Sequence, residues 1–135
     1  AWYFSRHERL DLEKMQGVAN LLPRYPAFSP FCKSHSGVDT YDCDVRSAYW
    51  AFSADRQQLI FSISANRFLR GMVRLIVGAC LQVGLGKLHV EDVEIALEKQ
   101  QALKKNLSVP PMGLFLTNVQ YPYPVVAAAI TSLHQ

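Results

Sequence analysis

The stretch that decides the fold is LIFSISANRFLRGMVRLIVGACLQVG, which runs from Leu59 to Gly84. Its first residues alternate between apolar and polar side chains, a pattern of period two that is typical of a half-buried strand. Its remaining apolar residues recur at intervals of three and four, which predicts an amphipathic helix. Asn66 is the expected N-cap of this helix, and Gly84 and Gly86 are expected to end it. The sequence therefore predicts a strand that continues directly into a long helix.

Three arginines stand out in the helical part of this stretch. Arg67, Arg70 and Arg74 are spaced at i, i+3 and i+7, which places them on one stripe of a helix. For Arg67 and Arg70, the spacing is equally compatible with a solvated basic face and with contacts to phosphate. Apolar residues precede and follow Arg74, so we expect its guanidinium to be at least partly buried and to require an anionic partner. No acid lies at a suitable helical spacing, so this partner must come from elsewhere in the fold, from another chain segment or from a ligand phosphate.

Two glycines, Gly71 and Gly78, lie beside the arginine stripe. Each glycine inside a helix costs about 1 kcal/mol relative to alanine, so their presence requires a physical reason. We interpret them as positions that another part of the backbone approaches closely.

The segments on either side of this stretch predict a single α+β domain. The chain has 135 residues, of which 50% are hydrophobic, and this is enough for one buried core. Its patterns predict helices over residues 10–22 and 89–101 and strands over residues 45–54 and 113–120, with residues 45–54 forming an antiparallel hairpin with the central strand. We therefore expect an antiparallel sheet of three or four strands with helices packed on one face. The apolar tail over residues 125–135 is expected to form a short helix.

Composition excludes several classes of protein. The formal net charge of +3 is mildly basic, which is compatible with RNA without being diagnostic. Three cysteines form no disulfide framework, so free thiols in a reducing cytosol are the simplest account and a cytoplasmic location is expected. Cys32, His35 and Cys43 come nearest to a metal site, but a zinc site usually has two closely spaced ligand pairs, so we expect no metal site here. The longest apolar run, Leu75–Leu85, is too short to cross a membrane.

Residues 61–84 resemble the signature of the tRNA pseudouridine synthase A family. In that family a strand ending in Ala-Asn is followed by Phe-Leu, by Met-Val-Arg and by Ile-Val-Gly, and this chain has those residues at 65–66, 68–69, 72–74 and 76–78. The sequence PPMGLFLTNVQYP, at residues 110–122, is similar to the closing strand of the family. A third match, at residues 9–31, resembles the helix and Phe-Ser-x-Phe loop that open the second half of the family.

The resemblance implies an activity and roles for individual residues. It implies an enzyme that isomerises uridine to pseudouridine in the anticodon arm of tRNA, at positions 38 to 40, without a cofactor. Arg74 matches the family arginine that pairs with the catalytic aspartate, and Val73 matches the apolar residue that lines the pocket beside it. The partners implied are tRNA and a second copy of the protein. The residues that we expect to contact RNA are Asn66, Arg67, Arg70, Lys33 and Arg46.

The catalytic aspartate of the family lies in a Gly-Arg-Thr-Asp-like motif, and this chain contains no such motif. We therefore expect residues 1–124 to be the C-terminal domain of such a synthase, one half of a pseudouridine synthase fold, followed by a tail over residues 125–135. The missing N-terminal half would supply the aspartate, and the chain alone would be inactive. Two alternatives stay open, a non-catalytic RNA-binding module of the same fold and an oligomerisation domain.

Overall fold

The computed structural model describes residues 9–33, 37–104, 107, 109, 114–121 and 123–131. Three helices and four strands follow one another in the order α1 (Leu12–Leu21), β1 (Val45–Phe52), β2 (Gln58–Ala65), α2 (Met72–Gly84), α3 (Val90–Lys99), β3 (Leu114–Tyr121) and β4 (Tyr123–Thr131). Two short 3-10 turns, Leu22–Arg24 and Ser29–Phe31, lie between α1 and β1. The expected α+β class is confirmed.

The four strands form one antiparallel sheet in the order β1-β2-β4-β3. The hairpin of β1 and β2 is present as expected, and Trp50 lies opposite Phe61 in it. On its other edge β2 pairs with β4, which places Phe61 opposite Ala128. The sheet therefore has β2 and β4 at its centre and β1 and β3 at its edges.

The expected short helix in the tail is wrong, because residues Tyr123–Thr131 form strand β4 between β2 and β3. Alternate residues of this strand, Val126, Ala128 and Ile130, are buried, so the segment follows a period of two. Its β-branched residues also favour extended structure. The expected boundary between residues 124 and 125 lies inside this strand.

Helices α1 and α2 cover one face of the sheet, as expected, and α3 packs on α1. Helix α1 packs against β1 and against α2, and α2 also packs against β4. The core between these layers contains Leu59, Phe61 and Ile63 from β2 together with Met15 from α1 and Ile76 from α2, each at most 1% exposed. The alternate residues of β2 face the other way and are partly exposed. The second face of the sheet is therefore the more open one.

Aspartate side chains cap the N-terminal ends of α1 and α3. Asp11 accepts a hydrogen bond from the amide of Lys14 at 3.2 Å, and Asp92 accepts one from the amide of His89 at 2.9 Å. Side chains of this kind satisfy amides that the first turn of a helix leaves without partners. Among the residues that the structure describes, no helix is both long enough and apolar enough to traverse a lipid bilayer.

The strand β2 does not continue directly into a helix, and the predicted start of α2 is wrong. A loop over residues 66–71 separates the two elements, and α2 begins at Met72. Gly71 precedes the helix with a φ of 70°, in the left-handed region that favours glycine. This conformation interrupts the helical path. Arg67 and Arg70 therefore lie in the loop, and the predicted stripe of three arginines on one helix does not exist.

Asn66 is consequently not the N-cap of α2. Its side-chain oxygen accepts a hydrogen bond from the amide of Asp44 at 2.7 Å, and its own amide donates to the carbonyl oxygen of Asp44 at 3.2 Å. This reciprocal pair fixes the end of β2 to the segment that enters β1.

Candidate functional site

A pocket of about 270 Å³ opens where the N-terminal end of α2 meets β3 and β4. The loop before α2, the first turn of the helix and the two strands each contribute to its wall. Its lining residues are Leu69, Gly71, Met72, Val73, Arg74, Leu116, Asn118 and Val126. The structure thus brings Arg74 and Val73, the two residues predicted to belong to a catalytic site, to the same pocket.

Arg74 is exposed, so the prediction that its guanidinium is at least partly buried is wrong. It is the third residue of α2, and its neighbours Met72 and Val73 are buried. Successive residues of a helix are rotated by about 100°, so apolar neighbours in sequence do not by themselves bury the residue beside them. Within the described part of the chain, Arg74 has neither a hydrogen bond nor an ion pair from its side chain. Its positive charge is therefore available to an anion.

The N-terminal end of α2 adds to the positive potential at this pocket. Gly71, the residue before the helix, has no side chain that could cap the first amides. The first amides of a helix carry a partial positive charge, and an anion placed near them is stabilised. Arg74 and the end of α2 therefore favour the same sign of charge on any group that enters from this side.

The opposite wall of the pocket is formed by residues that the sequence did not identify as site residues. Leu116 and Asn118 are alternate residues of β3, and Leu116 is 40% exposed. Period two predicts that they share a face of the strand. The sequence contains no signal that places this face against α2, because that arrangement depends on β4 entering the sheet between β2 and β3.

Lys33 and Arg70 lie next to the pocket, around Gly71. The amide of Lys33 donates a hydrogen bond to the carbonyl oxygen of Arg70 at 2.8 Å. A Cβ atom built on Gly71 would lie 2.8 Å from the Cβ of Lys33, so the two backbones approach closely here. Lys33 and Arg70 are both exposed. Together with Arg74 they make this end of the molecule positively charged.

The other predicted RNA contacts lie away from this pocket. Arg67 donates from Nη1 to the carbonyl oxygens of Thr40 at 3.2 Å and Asp42 at 2.8 Å, so part of its guanidinium holds a loop. Asn66 is bound to Asp44, as described above. The sequence could not reveal these bonds, because they join residues that are more than twenty positions apart.

Arg46 is the extra residue of a bulge in β1, where the register with β2 shifts between Val45 and Ser47. Its Nε lies 2.9 Å from the carboxylate of Asp44. Its guanidinium also lies over the ring of Tyr123, 4.4 Å from the centroid. The side chain of Arg46 is 50% exposed and that of Asp44 is 59% exposed. An ion pair with this much solvent exposure contributes little to stability.

The cysteines provide no reactive group near the pocket. Cys32, Cys43 and Cys80 are buried thiols that form no disulfide. Burial raises the pKa of Cys80 to about 12, and burial also raises the pKa of Cys43. A thiol with a raised pKa is a poor nucleophile because the thiolate is the reactive form. His35 lies outside the described residues, and in the part of the chain that the structure covers no three side chains form a metal-binding group.

Comparison with known proteins agrees with the resemblance described above. A family model for tRNA pseudouridine synthase matches residues 27–122. The chain is 43% identical to the tRNA pseudouridine synthase A of Porphyromonas gingivalis and 44% identical to that of Bacteroides fragilis, over 116 residues in each case. These alignments cover 86% of this chain and 46% of each relative.

A third relative, the tRNA pseudouridine synthase A of Bacteroides thetaiotaomicron, is 43% identical over 114 residues, covering 84% of this chain and 42% of that protein. The chain therefore spans about half the length of the relatives that it matches. The match over residues 27–122, which is more than half of the chain, shows that the chain belongs to the tRNA pseudouridine synthase family.

Proposed function

We propose that this chain forms one half of a tRNA pseudouridine synthase, and that the complete protein isomerises uridine to pseudouridine at positions 38 to 40, in the anticodon arm of tRNA. The observation that carries the proposal is the pocket at the N-terminal end of α2, where the exposed Arg74 has no anionic partner among the described residues. No aspartate is among the described residues that line this pocket. The pocket is therefore one half of an active site: it contains the arginine, and a carboxylate from the rest of the protein would complete it.

The reaction requires one carboxylate from the protein and no external redox partner. The bond between C1′ of the ribose and N1 of uracil breaks, a bond between C1′ and C5 forms, C5 loses its proton and N1 gains one, so that the product is an isomer of the substrate. An aspartate acts as nucleophile or base in this sequence, as the resemblance implies. The target nucleotide must first leave the base stack, because neither C1′ nor C5 is accessible to a catalytic group in a folded stem or loop.

Arg74 serves this chemistry by acting on the aspartate. A guanidinium within about 4 to 6 Å of a carboxylate favours the ionised form and lowers its pKa. A fixed positive charge also keeps the carboxylate aimed at the reacting carbon, without reorganisation during the reaction. Val73 and Leu116 provide apolar walls that exclude water, and exclusion of water strengthens the interaction between the two charges.

We infer that the charged residues around the pocket bind the phosphates of tRNA. Arg70 and Lys33 are the best supported, because both are exposed and both lie against Gly71 at the mouth of the site. Arg67, Arg46 and the uncharged Asn66 lie away from the pocket, and we propose that they contact the RNA further along its backbone, through polar atoms that are not already bonded to neighbouring residues. Contacts of this kind position the RNA without reading its sequence.

The complete protein would include the N-terminal half, which supplies the aspartate, and would act in the cytoplasm, where tRNA is the substrate. A homodimer is the assembly that the resemblance implies. Sedimentation of the complete protein at several concentrations tests this assembly: we expect a dimer, and a monomer at every concentration would contradict it.

The experiment that tests the proposed function compares the complete protein with the 135-residue chain. Each is incubated with tRNA that carries tritium at C5 of uridine, and tritium release is measured, since each turnover frees the C5 proton. We expect release with the complete protein and none with the chain alone. Release by the chain alone would contradict the proposal that the pocket is one half of an active site. Salt-dependent binding of tRNA by the complete protein without any release would instead identify a non-catalytic RNA-binding module.

A further inference from the structure

Gln100 has an unusual backbone conformation, and its side chain forms three hydrogen bonds. It ends α3 with a φ of 52°, in the left-handed region where helices normally place glycine or asparagine. Its Oε1 accepts a hydrogen bond from the amide of Ser29 at 2.8 Å. Its Nε2 donates to the carbonyl oxygens of Ala27 at 2.8 Å and Leu97 at 2.6 Å. Strain of this kind persists only where surrounding bonds hold the residue in place, and it points to a specific role.

The segment that Gln100 holds lies between two helices. The 3-10 turn Ser29–Phe31 contacts α3 on one side and α2 on the other. Phe28 and Phe31 anchor it in the core, both fully buried. The amide of Phe28 also donates to the carbonyl oxygen of Tyr41 at 2.9 Å. The turn is therefore a firm connection between the C-terminal end of α3 and the N-terminal end of α2.

The connection continues to the candidate active site. Lys33 follows this turn, and its amide donates to the carbonyl oxygen of Arg70 at 2.8 Å. Its side chain lies against Gly71, which precedes α2. Arg74 is in the first turn of that helix. A movement of residues 27–33 would therefore change the position of the backbone that carries Arg74.

We propose that Gln100 is a positioning residue for the synthase site, and that its carboxamide fixes residues 27–33 and through them the position of Arg74. This inference rests on the proposed function. The side chain must accept one hydrogen bond and donate two, which a carboxamide does and a carboxylate does not. Gln100→Glu would retain the bond from Ser29 but would direct carboxylate oxygens at the carbonyl oxygens of Ala27 and Leu97.

A residue that merely ends α3 would have a different signature. Its loss would weaken the fold, but its effect on catalysis would be independent of Arg74. A positioning residue acts through Arg74, so its loss has no further consequence once Arg74 has been removed. A double-mutant cycle separates the two cases, because it measures the coupling between two residues directly.

The experiment uses the complete protein and measures the single-turnover rate of pseudouridine formation and the Kd for tRNA. The variants are Gln100→Gly, Gln100→Glu, Arg74→Met and each Gln100 variant combined with Arg74→Met. Gln100→Gly keeps the left-handed backbone free of strain, so it removes the carboxamide without forcing the chain to refold. Gln101→Ala is the matched control, because Gln101 is the exposed neighbour of the same chemical type.

We expect Gln100→Gly and Gln100→Glu to lower the rate about tenfold or more, since a shift of about 1 Å in a positioned group can cost about a hundredfold. The Kd should not change, and Gln101→Ala should have the normal rate. In the Arg74→Met protein, neither Gln100 substitution should lower the rate further. Amide hydrogen exchange at Lys33 should become faster in Gln100→Gly, which reports on the connection independently of activity.

Rate losses that multiply in the double variants would overturn the inference, as would a normal rate in Gln100→Gly. Unchanged exchange at Lys33 in that variant would also overturn it. If the unsubstituted complete protein forms no pseudouridine, the proposed function fails and this inference fails with it. Activity in the unsubstituted protein without coupling between Gln100 and Arg74 would leave the proposed function standing and refute only the positioning role.

Discussion

Gly78, in the middle of α2, lies directly against the backbone of Leu107, and a Cβ atom at residue 78 would overlap the carbonyl oxygen of Leu107. This confirms the interpretation of Gly78 as a position of close approach. Gly17, inside α1, is different, because a Cβ atom there would lie 3.5 Å from Cγ2 of Val90, at ordinary contact distance. A side chain therefore fits at residue 17 but not at residue 78.

We expect Gly78→Ala to lower the free energy of unfolding by about 1 to 3 kcal/mol, because the added methyl group forces the backbone around Leu107 to move. Gly17→Ala is the matched control and should raise it by up to about 1 kcal/mol, the difference in helix propensity. Urea unfolding of both variants measures the two changes. Equal stabilisation by both substitutions would mean that Leu107 does not approach Gly78.

The sequence predicted the elements whose signals are local. Alternation in residues 59–64 and 45–54 predicted the hairpin of β1 and β2, and the patterns of residues 10–22 and 89–101 predicted α1 and α3. These features depend on neighbouring residues alone. For that reason the pattern within a single segment was enough to locate them.

The sequence failed where a distant contact decides the local structure. Arg67 fits a helical spacing, but its bonds to the carbonyl oxygens of Thr40 and Asp42 hold it in a loop. Gly71 then starts α2 later than the apolar pattern indicates. The burial of Arg74 was wrong for a different reason, because Arg74 lies on the exposed side of α2 while its neighbours Met72 and Val73 are buried.

The order of the strands could not be predicted from the sequence either. The pattern of β3 predicted a strand, but nothing local indicates that β4 pairs with both β2 and β3. Leu116 and Asn118 reach the pocket only because of this order. A site built from strands that are distant in sequence requires the sheet topology before its residues can be identified.

Cys80 makes stability depend on pH in a predictable direction. Burial raises its pKa to about 12 from an ordinary value of 9.0, so the folded protein keeps a proton that the unfolded chain releases above about pH 9. The stability from this group is complete below pH 9 and is lost as the pH rises toward 12, by about 1.4 kcal/mol per pH unit.

Cys80→Ala should remove the part of the pH dependence of stability that comes from Cys80. The substitution also removes packing contacts, and the free energy lost in this way should be the same at each pH. Urea unfolding of the variant and of the unsubstituted protein, both with reductant, at about pH 8 and about pH 10.5 measures it. The unsubstituted protein should lose stability between the two pH values, so its advantage in unfolding free energy over Cys80→Ala should become smaller or change sign at the higher pH. An advantage that stays constant would show that Cys80 titrates normally in the folded protein.

Arg70 and Arg67 should affect the complete protein in different ways. Arg70→Met should reduce the slope of log K for tRNA against log salt by about 0.7 to 0.9, the value for one phosphate contact, and leave stability unchanged because the residue is exposed. Arg67→Met should in addition lower the free energy of unfolding by about 1 to 2 kcal/mol, because the carbonyl oxygens of Thr40 and Asp42 lose a charged donor.

Titrations of tRNA at several salt concentrations and urea unfolding separate these effects. An unchanged salt slope in Arg70→Met would show that this residue does not face the RNA. Normal stability in Arg67→Met would show that its bonds to the loop are not formed in solution.

The Gln100 connection gives a prediction that stability measurements alone can check. Gln100→Ala leaves a left-handed residue without its side-chain bonds, so its unfolding free energy should fall by more than that of Gln100→Gly, which accepts the same backbone without strain. The difference should be about 1 kcal/mol. Equal stability of the two variants would show that residue 100 does not have the left-handed conformation in solution.

The most direct test of the account is the single-turnover rate of pseudouridine formation by the complete protein with Arg74→Met, measured at saturation together with the Kd for tRNA. Methionine keeps most of the bulk and removes the charge, so the catalytic carboxylate loses its partner at the pocket. We predict that the rate falls about a hundredfold or more, the cost of removing one preorganised charge partner, while the Kd stays close to normal. Arg70→Met, the matched control, should weaken binding and keep a nearly normal saturated rate. Weaker tRNA binding by Arg74→Met with an intact saturated rate would contradict the account, because it would make Arg74 a phosphate contact and not the partner of the aspartate.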